Sequence, residues 1–308
     1  MISHEPKYSP AATEGHVLVV NWSGIDDEAG NGTVKIAVIS DVHGNLPALE
    51  AVLADIERWA PDEVIVNGDL VNRGPLSLPS LELLQGQLPG ARYLQGNHEE
   101  FVLRCGRGED DPDHPAFETR RFSHWTYAQL GEAVETIARW PDHLDLADPE
   151  GGSLHITHGS RLGKREGILP ETGEAELREK LGDRRDLFIA SHTHKPFVRR
   201  FNGTLVVNVG SVGSPFDRDP RAAYGRFTFD GRAWRAEIVR VAFDRARTER
   251  DYAESGFLEE AGPLARLMLT EFHHSRGHMG PWTRRYYDAV VRGEITVEEA
   301  VERYLAAL

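Results

Sequence analysis

The sequence predicts an α/β fold with largely parallel strand pairing, and three observations carry that prediction. Short apolar, β-branched runs recur along the chain at "KIAVIS", "EVIVN", "RYLQ", "SLHIT" and "LFIAS". Segments of helical periodicity separate them, most clearly where Leu46, Leu49, Val52, Leu53 and Ile56 share one face. Polar residues able to ligate metal follow directly on the runs instead of scattering through the chain. Strands alternating with helices are the pattern of a sheet whose crossovers are helical.

Residues 1–33 form a mixed lead-in with the acidic run Asp26-Asp27-Glu28, and only "VLVV" (17–20) reads as a strand. A peripheral or poorly ordered segment is expected there. From Lys35 the alternation begins: "KIAVIS", a helix over Leu46 to Trp59, "EVIVN", a helix around Leu81 to Leu84, then "RYLQ". Residues 106–150 break the rhythm. "GRGEDDPDHP" is a turn-rich acidic loop, and Phe117 to Trp140 reads as one or two helices. This helical insertion, with Arg120, Arg121, His124 and Trp125, is read either as a lid or as a helical pair packed outside. The alternation resumes with "SLHIT", a helix near Glu174 to Leu181, and "LFIAS". Strand-like runs joined by Asn-Gly and Asp-Gly turns follow, in "FVRRFNGTLVVNV", "YGRFTF" and "WRAEIVRV". Arg245 to Leu308 is mostly helical and closes on "TVEEAVERYLAAL", which opens with a Thr-x-x-Glu capping box. The chain thus divides into a lead-in (1–33), a core domain (34–243) and a helical C-terminal extension (244–308).

With 40% hydrophobic and 27% charged residues, the 308-residue chain has an ordinary globular composition. Its 35 basic against 49 acidic residues give −14, which disfavours extended nucleic acid or an anionic membrane as partner. A nuclease would want a basic track with stacking aromatics. The single cysteine, Cys105, excludes an internal disulfide and reads as a plain reduced thiol. No run of 18 apolar residues occurs, and "MISHEPKYSP" lacks the regions of a signal peptide. The expected compartment is the cytoplasm, which makes the sequons at Asn21, Asn31 and Asn202 accidental.

The strand ends carry the chemistry. Asp41 and His43 follow the first run, Asp69 the second, Asn97 and His98 the third, His158 the fourth, His192 and His194 the fifth. In an open α/β sheet these positions line the carboxyl edge, where ligands bind. Singly, each has an ordinary reading, because Asp and Asn start turns and a lone buried histidine is commonly hydrogen-bonded in a core. Five coincident strand ends point instead to a metal site. Oxygen and imidazole ligands without thiolate suit Mn²⁺, Fe or Zn²⁺ better than Ca²⁺. Seven ligands are too many for one ion and natural for two that share a carboxylate.

"DVHGN", "GDLVNRGP", "GNHE", "HG" and "SHTH", in this order from Lys35 to Phe229, resemble the calcineurin-like metallophosphoesterase superfamily. The resemblance implies a four-layer α/β/β/α sandwich of two mixed sheets and hydrolysis without a covalent phosphoenzyme. It implies that Asp41, His43 and His194 hold one metal, that Asn97, His158 and His192 hold the other, and that Asp69 bridges them. Mn²⁺ is the expected ion, with Fe, Zn²⁺, Ni²⁺ or Co²⁺ as alternatives. "VNVGSVGSPFDRDPRAAYGRF" (207–227) resembles small bacterial phosphodiesterase-type members, whereas "GDLVNRGPLSL" with "GNHEE" resembles protein phosphatases and dinucleoside polyphosphate hydrolases. The expectation is a dimetal phosphoesterase acting on a small phosphoester or nucleotide, with diester, monoester and dinucleoside polyphosphate substrates all open. A non-catalytic scaffold would be expected to lose ligands, and here the set is intact.

Two cations about 3.5–4 Å apart clamp a phosphoryl oxygen and acidify a bridging water, which attacks phosphorus in line with the leaving oxygen. Charge then builds on the leaving oxygen, and His98 beside Asn97 is the candidate acid. Arg73, four residues after Asp69, is the candidate phosphate fork. Where protein phosphatases carry an aspartate this chain has Asn72, which can hydrogen-bond to His98 but lends it no charge. Ser191 replaces the usual glycine before the His-x-His pair, a change expected to affect backbone freedom more than ligation. Glu99 and Glu100 are expected to open a helix, whose N-terminus favours carboxylates. Arg161 is read as facing either substrate or solvent. Glu271, His273, His274 and His278 imitate a metal cluster and are read as a solvated helical face.

Overall fold

Alternate residues of the central strands enter different cores, and this explains why those strands read as continuous apolar runs. In the computed structural model, which describes residues 18–19, 33–147 and 152–308, the first of the two sheets has the strand order β11-β10-β2-β3-β4. Its members are β2 (Val34–Ile39), β3 (Glu63–Asn67), β4 (Arg92–Leu94), β10 (Ala222–Phe229) and β11 (Trp234–Val241). The second has the order β1-β5-β6-β7-β9-β8, with β1 (Leu18–Val19), β5 (His143–Ala147), β6 (Leu154–Thr157), β7 (Leu187–Ala190), β8 (Phe197–Phe201) and β9 (Thr204–Asn208). Val34, Ile36, Val38 and Ile65 of the first sheet meet Leu154, Ile156, Leu187, Ile189, Leu205 and Val207 of the second in a core between the sheets. Ala37, Ile39, Val64 and Val66 point the other way and pack on α1 (Leu46–Trp59) and α2 (Ser77–Gln87). Phe188, Ala190 and Val206 do the same on the far side, against Leu177 and Leu181 of α6 (Glu174–Leu181). The layers are therefore helix, sheet, sheet, helix.

Pairing is mixed. β2-β3-β4 and β6-β7-β9 run parallel, while β5-β6, β8-β9, β2-β10 and β10-β11 are antiparallel. The Asn-Gly and Asp-Gly turns close the β8-β9 and β10-β11 hairpins. Helix α1 starts where Asn45 caps Ala48 N–H at 3.2 Å and ends at Ala60, in the left-handed conformation.

Two sequence expectations need correction. Residues 143–147, counted within the insertion, form β5, which pairs with β6 and receives β1 in parallel. A five-residue strand leaves too short an apolar alternation to distinguish from loop. The lead-in contributes β1; residues 1–17 and 20–32 lie outside the described ones. The insertion helices α4 (Arg121–Leu130) and α5 (Ala133–Ile137) are neither a free lid nor an outer appendage. α4 packs on α2, on α3 (Asn97–Gly106) and on α8 (Phe257–Glu260) of the C-terminal extension. Trp125 sets its ring edge-on to Phe257 at 5.1 Å and donates Nε1–H to Glu260. The extension adds α7 (Arg245–Glu254), α9 (Leu264–His274), α10 (Met279–Val291) and α11 (Val297–Leu305), whose apolar faces share a core with Phe122 and Trp125. Among the described residues, no helix is long and apolar enough to cross a membrane.

Candidate metal centre

The turns that follow β2, β3 and β7 bend sharply enough to aim side chains back over the sheet edges. Asp41, His43, Asp69, Asn72, Arg73, His192 and His194 all have φ between 50° and 71°. The left-handed region costs a residue with a Cβ about 1–2 kcal/mol. Such strain clusters where surrounding structure imposes it, typically at functional sites. Gly96 answers a steric demand in the same place, since a Cβ on it would lie 2.1 Å from Asp69 Oδ1.

The turns bring together every ligand type read from the strand ends. Donor atoms of Asp41, His43, Asp69 and His194 lie within 4.8 Å of one another, as do those of Asp69, His158 and His192. Asp69 belongs to both groups. Asn97 joins the second, its Oδ1 standing 3.2 Å from His158 Nε2. Backbone carbonyls orient three rings: His43 Nδ1 faces Asn72 O at 3.2 Å, His158 Nδ1 faces Asn67 O at 2.9 Å, and His194 Nδ1 faces Ser214 O. An Nδ1–H given to a carbonyl leaves Nε2 with its lone pair turned inward.

The cluster fits positive ions on three grounds. His43 Nε2 and His194 Nε2 are 3.2 Å apart, lone pair towards lone pair. Asp41 Oδ1 is buried without a hydrogen-bond partner, although His194 Nε2 lies 2.9 Å away at an angle unsuited to one. Burial lowers the pKa of His158, yet the charges of Asp69 and Asp41 overcome this and lift it to about 10, so the carboxylates draw positive charge. Burial, only partly offset by Asp69, holds His43 well below the usual histidine range. His192 falls to about 4 through burial and the neighbouring His158. A bare nitrogen suits ligation.

A set of buried polar side chains supports these ligands. Glu99, fully buried, accepts the N–H groups of Asp69 and Gly96 on Oε2 (2.8 Å each) and those of Leu70 and Val71 on Oε1 (2.8 and 3.2 Å). Burial and the Asp69 charge raise its pKa to about 7. Asn67 donates to Thr157 O at 3.0 Å and Ser191 Oγ at 2.8 Å, tying the two sheets together at their carboxyl ends. Ser191 thus supplies a hydroxyl that a glycine would lack.

His98 has a defined partner. Asn72 Oδ1 accepts the backbone N–H of Arg73 at 3.0 Å, which fixes the amide orientation and turns Nδ2 towards His98 Nδ1 (3.2 Å) and Ser123 Oγ (3.0 Å). Thr126 donates to the same Oδ1 at 3.2 Å. His98 Nδ1 is therefore an acceptor and its proton sits on Nε2. Burial, partly offset by Asp69, lowers its pKa well below the usual range.

Arg73 lies beside the site, its guanidinium 5.6 Å over Phe216, whose ring stacks on that of His194 at 4.2 Å. It is paired with Glu271. This overturns the solvated reading of the 271–278 cluster in part: Glu271 and His278 are buried, whereas His273 and His274 are exposed. Arg161 is held by Asp145 (3.3 Å) and His155 (3.1 Å) at the edge of a cavity of about 870 Å³. Gln95 and Ser160, each two residues from a ligand, also line it, with Lys164 and Arg165. Cys105 lies within 4.8 Å of Asp110 and His124, and burial reinforced by Asp110 pushes its thiol up to about 12. Sequence reading placed Glu271 on a solvated face and missed Ser123 and Thr126, for which no local signal exists. Glu99 was read only as a carboxylate opening a helix; its bond back to the N-cap Gly96 N–H fits that reading, while its bonds to Asp69, Leu70 and Val71 do not follow from it.

A sandwich that gathers two carboxylate–imidazole groups around one shared aspartate has the architecture of a metallohydrolase. The chain belongs to the calcineurin-like phosphoesterase superfamily, whose domain model matches residues 34–232. It is 30% identical over 230 residues to an uncharacterized protein of Methanocaldococcus jannaschii, covering 68% of this chain and 88% of that one. Identity to the phosphodiesterase YfcE of Escherichia coli is 25% over 197 residues, covering 64% and 89%. Identity to the symmetrical bis(5'-nucleosyl)-tetraphosphatase of Neisseria meningitidis is 29% over 155 residues, covering 46% of this chain and half of that protein. The crystal structure of a metallophosphoesterase from Sphaerobacter thermophilus superposes with a TM-score of 0.62 at 29% identity, covering 79% and 99%. The chain is a phosphoesterase of a dimetal-dependent family.

Proposed function

We propose that this chain hydrolyses a phosphodiester or internal phosphoanhydride bond of a small, nucleotide-type substrate. The sharing of Asp69 between the two ligand groups carries the reading. Asp41, His43 and His194 would hold one ion; Asn97, His158 and His192 the other; Asp69 would bridge. Mn²⁺ is the expected metal from the mixed oxygen and imidazole donors. Bound there, two such ions supply Lewis-acid stabilisation of phosphoryl oxygens and a water acidic enough to act as nucleophile. Glu99 and the carbonyl-bound rings hold the donors in place. Arg73 contacts the phosphate, and His98 presents Nε2–H to the leaving oxygen. Because Asn72 donates into Nδ1, His98 acts as a neutral hydrogen-bond donor.

A dinucleoside polyphosphate draws its support from the cavity whose lining residues Gln95 and Ser160 lie two positions along the chain from Asn97 and His158, with Arg165 and the Asp142-paired Lys164 as its cations for a phosphate chain. Metal analysis after loading with Mn²⁺ should approach two ions per chain. Assay of that protein on aryl diester, aryl monoester and dinucleoside tetraphosphate substrates tests the reading. Full activity after exhaustive chelation would refute it.

A further inference from the structure

One carboxylate carries the C-terminal extension into the site. Glu271 on α9 is 1% exposed, and its Oε2 pairs with Arg73 Nη2. Its Oε1 accepts the backbone N–H groups of His278 (2.6 Å) and Met279 (2.8 Å), where α10 begins. The carboxylate therefore cannot swing away without abandoning two buried donors. Arg73 is equally constrained: its side chain is 11% exposed, it lies over Phe216, and Tyr252 Oη reaches its carbonyl at 3.4 Å. The residue best placed to grip phosphate thus arrives with part of its charge already neutralised.

The consequence is a matter of charge balance. A guanidinium beside a fixed carboxylate offers hydrogen bonds but little net positive potential. A diester, or an internal phosphate of a polyphosphate chain, brings one negative charge per phosphorus. A monoester above its second pKa of about 6 brings two. The extra charge gains little from the neutralised arginine and is repelled by the charge of Glu271, which burial leaves poorly screened. We propose that Glu271 is a specificity-determining residue that sets the site for phosphate monoanions and against monoester dianions. The proposal rests on the phosphoesterase reading and on Arg73 as its phosphate contact.

The test compares an aryl diester and an aryl monoester with the same leaving group at pH 8, on one preparation of the Mn²⁺-loaded protein. The ratio of their kcat/KM values cancels any difference in active fraction, so a merely structural role would not move it. Glu271→Gln keeps an oxygen for His278 and Met279, removes the charge and turns an amide NH₂ towards Arg73, so that the guanidinium is released from its partner. It should shift the ratio about tenfold towards the monoester and strengthen inhibition by inorganic phosphate. Glu271→Asp, which keeps the charge, should stay within about twofold of the original ratio. Arg73→Gln, which leaves Glu271 uncompensated, should shift the ratio the other way and serves if the Glu271 variants do not fold. An unchanged ratio in Glu271→Gln, an equal shift in Glu271→Asp, or a shift towards the monoester in Arg73→Gln would overturn the proposal. If the unaltered protein hydrolyses neither ester, the functional reading fails instead. The charge role is then read from inorganic phosphate binding: Glu271→Gln should gain affinity as pH rises through phosphate's second ionisation, and no gain overturns it.

Discussion

Replacing Glu99 by glutamine should destabilise the protein and loosen its metals together. Its carboxylate takes four backbone N–H groups, from Asp69, Leu70, Val71 and Gly96, at 2.8–3.2 Å and with no solvent exposure. Glutamine keeps one oxygen for two of them and turns an amide NH₂ towards the other two, donor against donor. A buried N–H left without an acceptor costs about 1–3 kcal/mol, so the expected loss is roughly 4 kcal/mol. Two of the four donors belong to Asp69 and to the residue before Asn97, so the same change frees ligands of both proposed ions. Metal affinity should fall about 10–100-fold, the usual cost of removing an outer partner of a metal ligand. Denaturant unfolding of the Mn²⁺-loaded protein reads the first effect, and isothermal titration of the apo protein with Mn²⁺ reads the second. A variant within 1 kcal/mol of the original protein and with unchanged affinity would show that water or backbone shifts satisfy these donors, and the assigned role of Glu99 would be wrong.

Asp69→Asn should abolish turnover and lower the bound metal below two ions per chain, read by elemental analysis. His98→Ala should slow alkyl esters, whose leaving groups need a hydrogen-bond donor, far more than aryl esters, by up to about 10²–10³-fold; equal losses would mean that His98 positions the phosphate. Ser123→Ala with Thr126→Val should leave the Asn72 amide held only by the Arg73 N–H and lower alkyl-ester rates a few-fold with both metals retained; unchanged rates would remove α4 from the site. Burial raises the Asp145 pKa, but the His155 hydrogen bond and the charges of His155, Arg161 and Arg185 outweigh it, leaving about 2. Because the folded pKa is depressed, the contribution is full above about pH 4 and is lost as pH falls towards 2, worth roughly 1–2 kcal/mol after solvent screening. Acid unfolding of apo protein should show this loss, and Asp145→Asn should lack it.

The proposed ligand set is written locally. Each of Asp41, His43, Asp69, Asn97, His158, His192 and His194 closely follows an apolar run, and chain direction sends the ends of β2, β3 and β4 to one edge of the first sheet and those of β6 and β7 to one edge of the second; the packing of the two sheets then sets those edges side by side. The periodicity of α1 was equally local, and its limits at Leu46 and Trp59 match the pattern of apolar residues. Strand β5 was not legible, since five residues do not distinguish an edge-side strand from a loop until β6 and β1 lie on either side of it.

What surrounds the ligands was decided by packing across long stretches of chain. Glu271 lies 198 residues from Arg73, on a helix whose sequence reads as a polar face. Only the seating of α9 against the domain removes it from water and forces the pairing. Ser123 and Thr126 are ordinary helical residues until α4 packs beside Asn72, and their hydroxyls then hold the amide that places the proton on His98 Nε2. A sequence displays which residues can ligate metal, because ligation depends on residue type and on strand ends. It does not display which polar residues lose their water, because burial is a property of surfaces that meet only in the folded chain; that loss gives Glu99, Asn72 and Glu271 their roles.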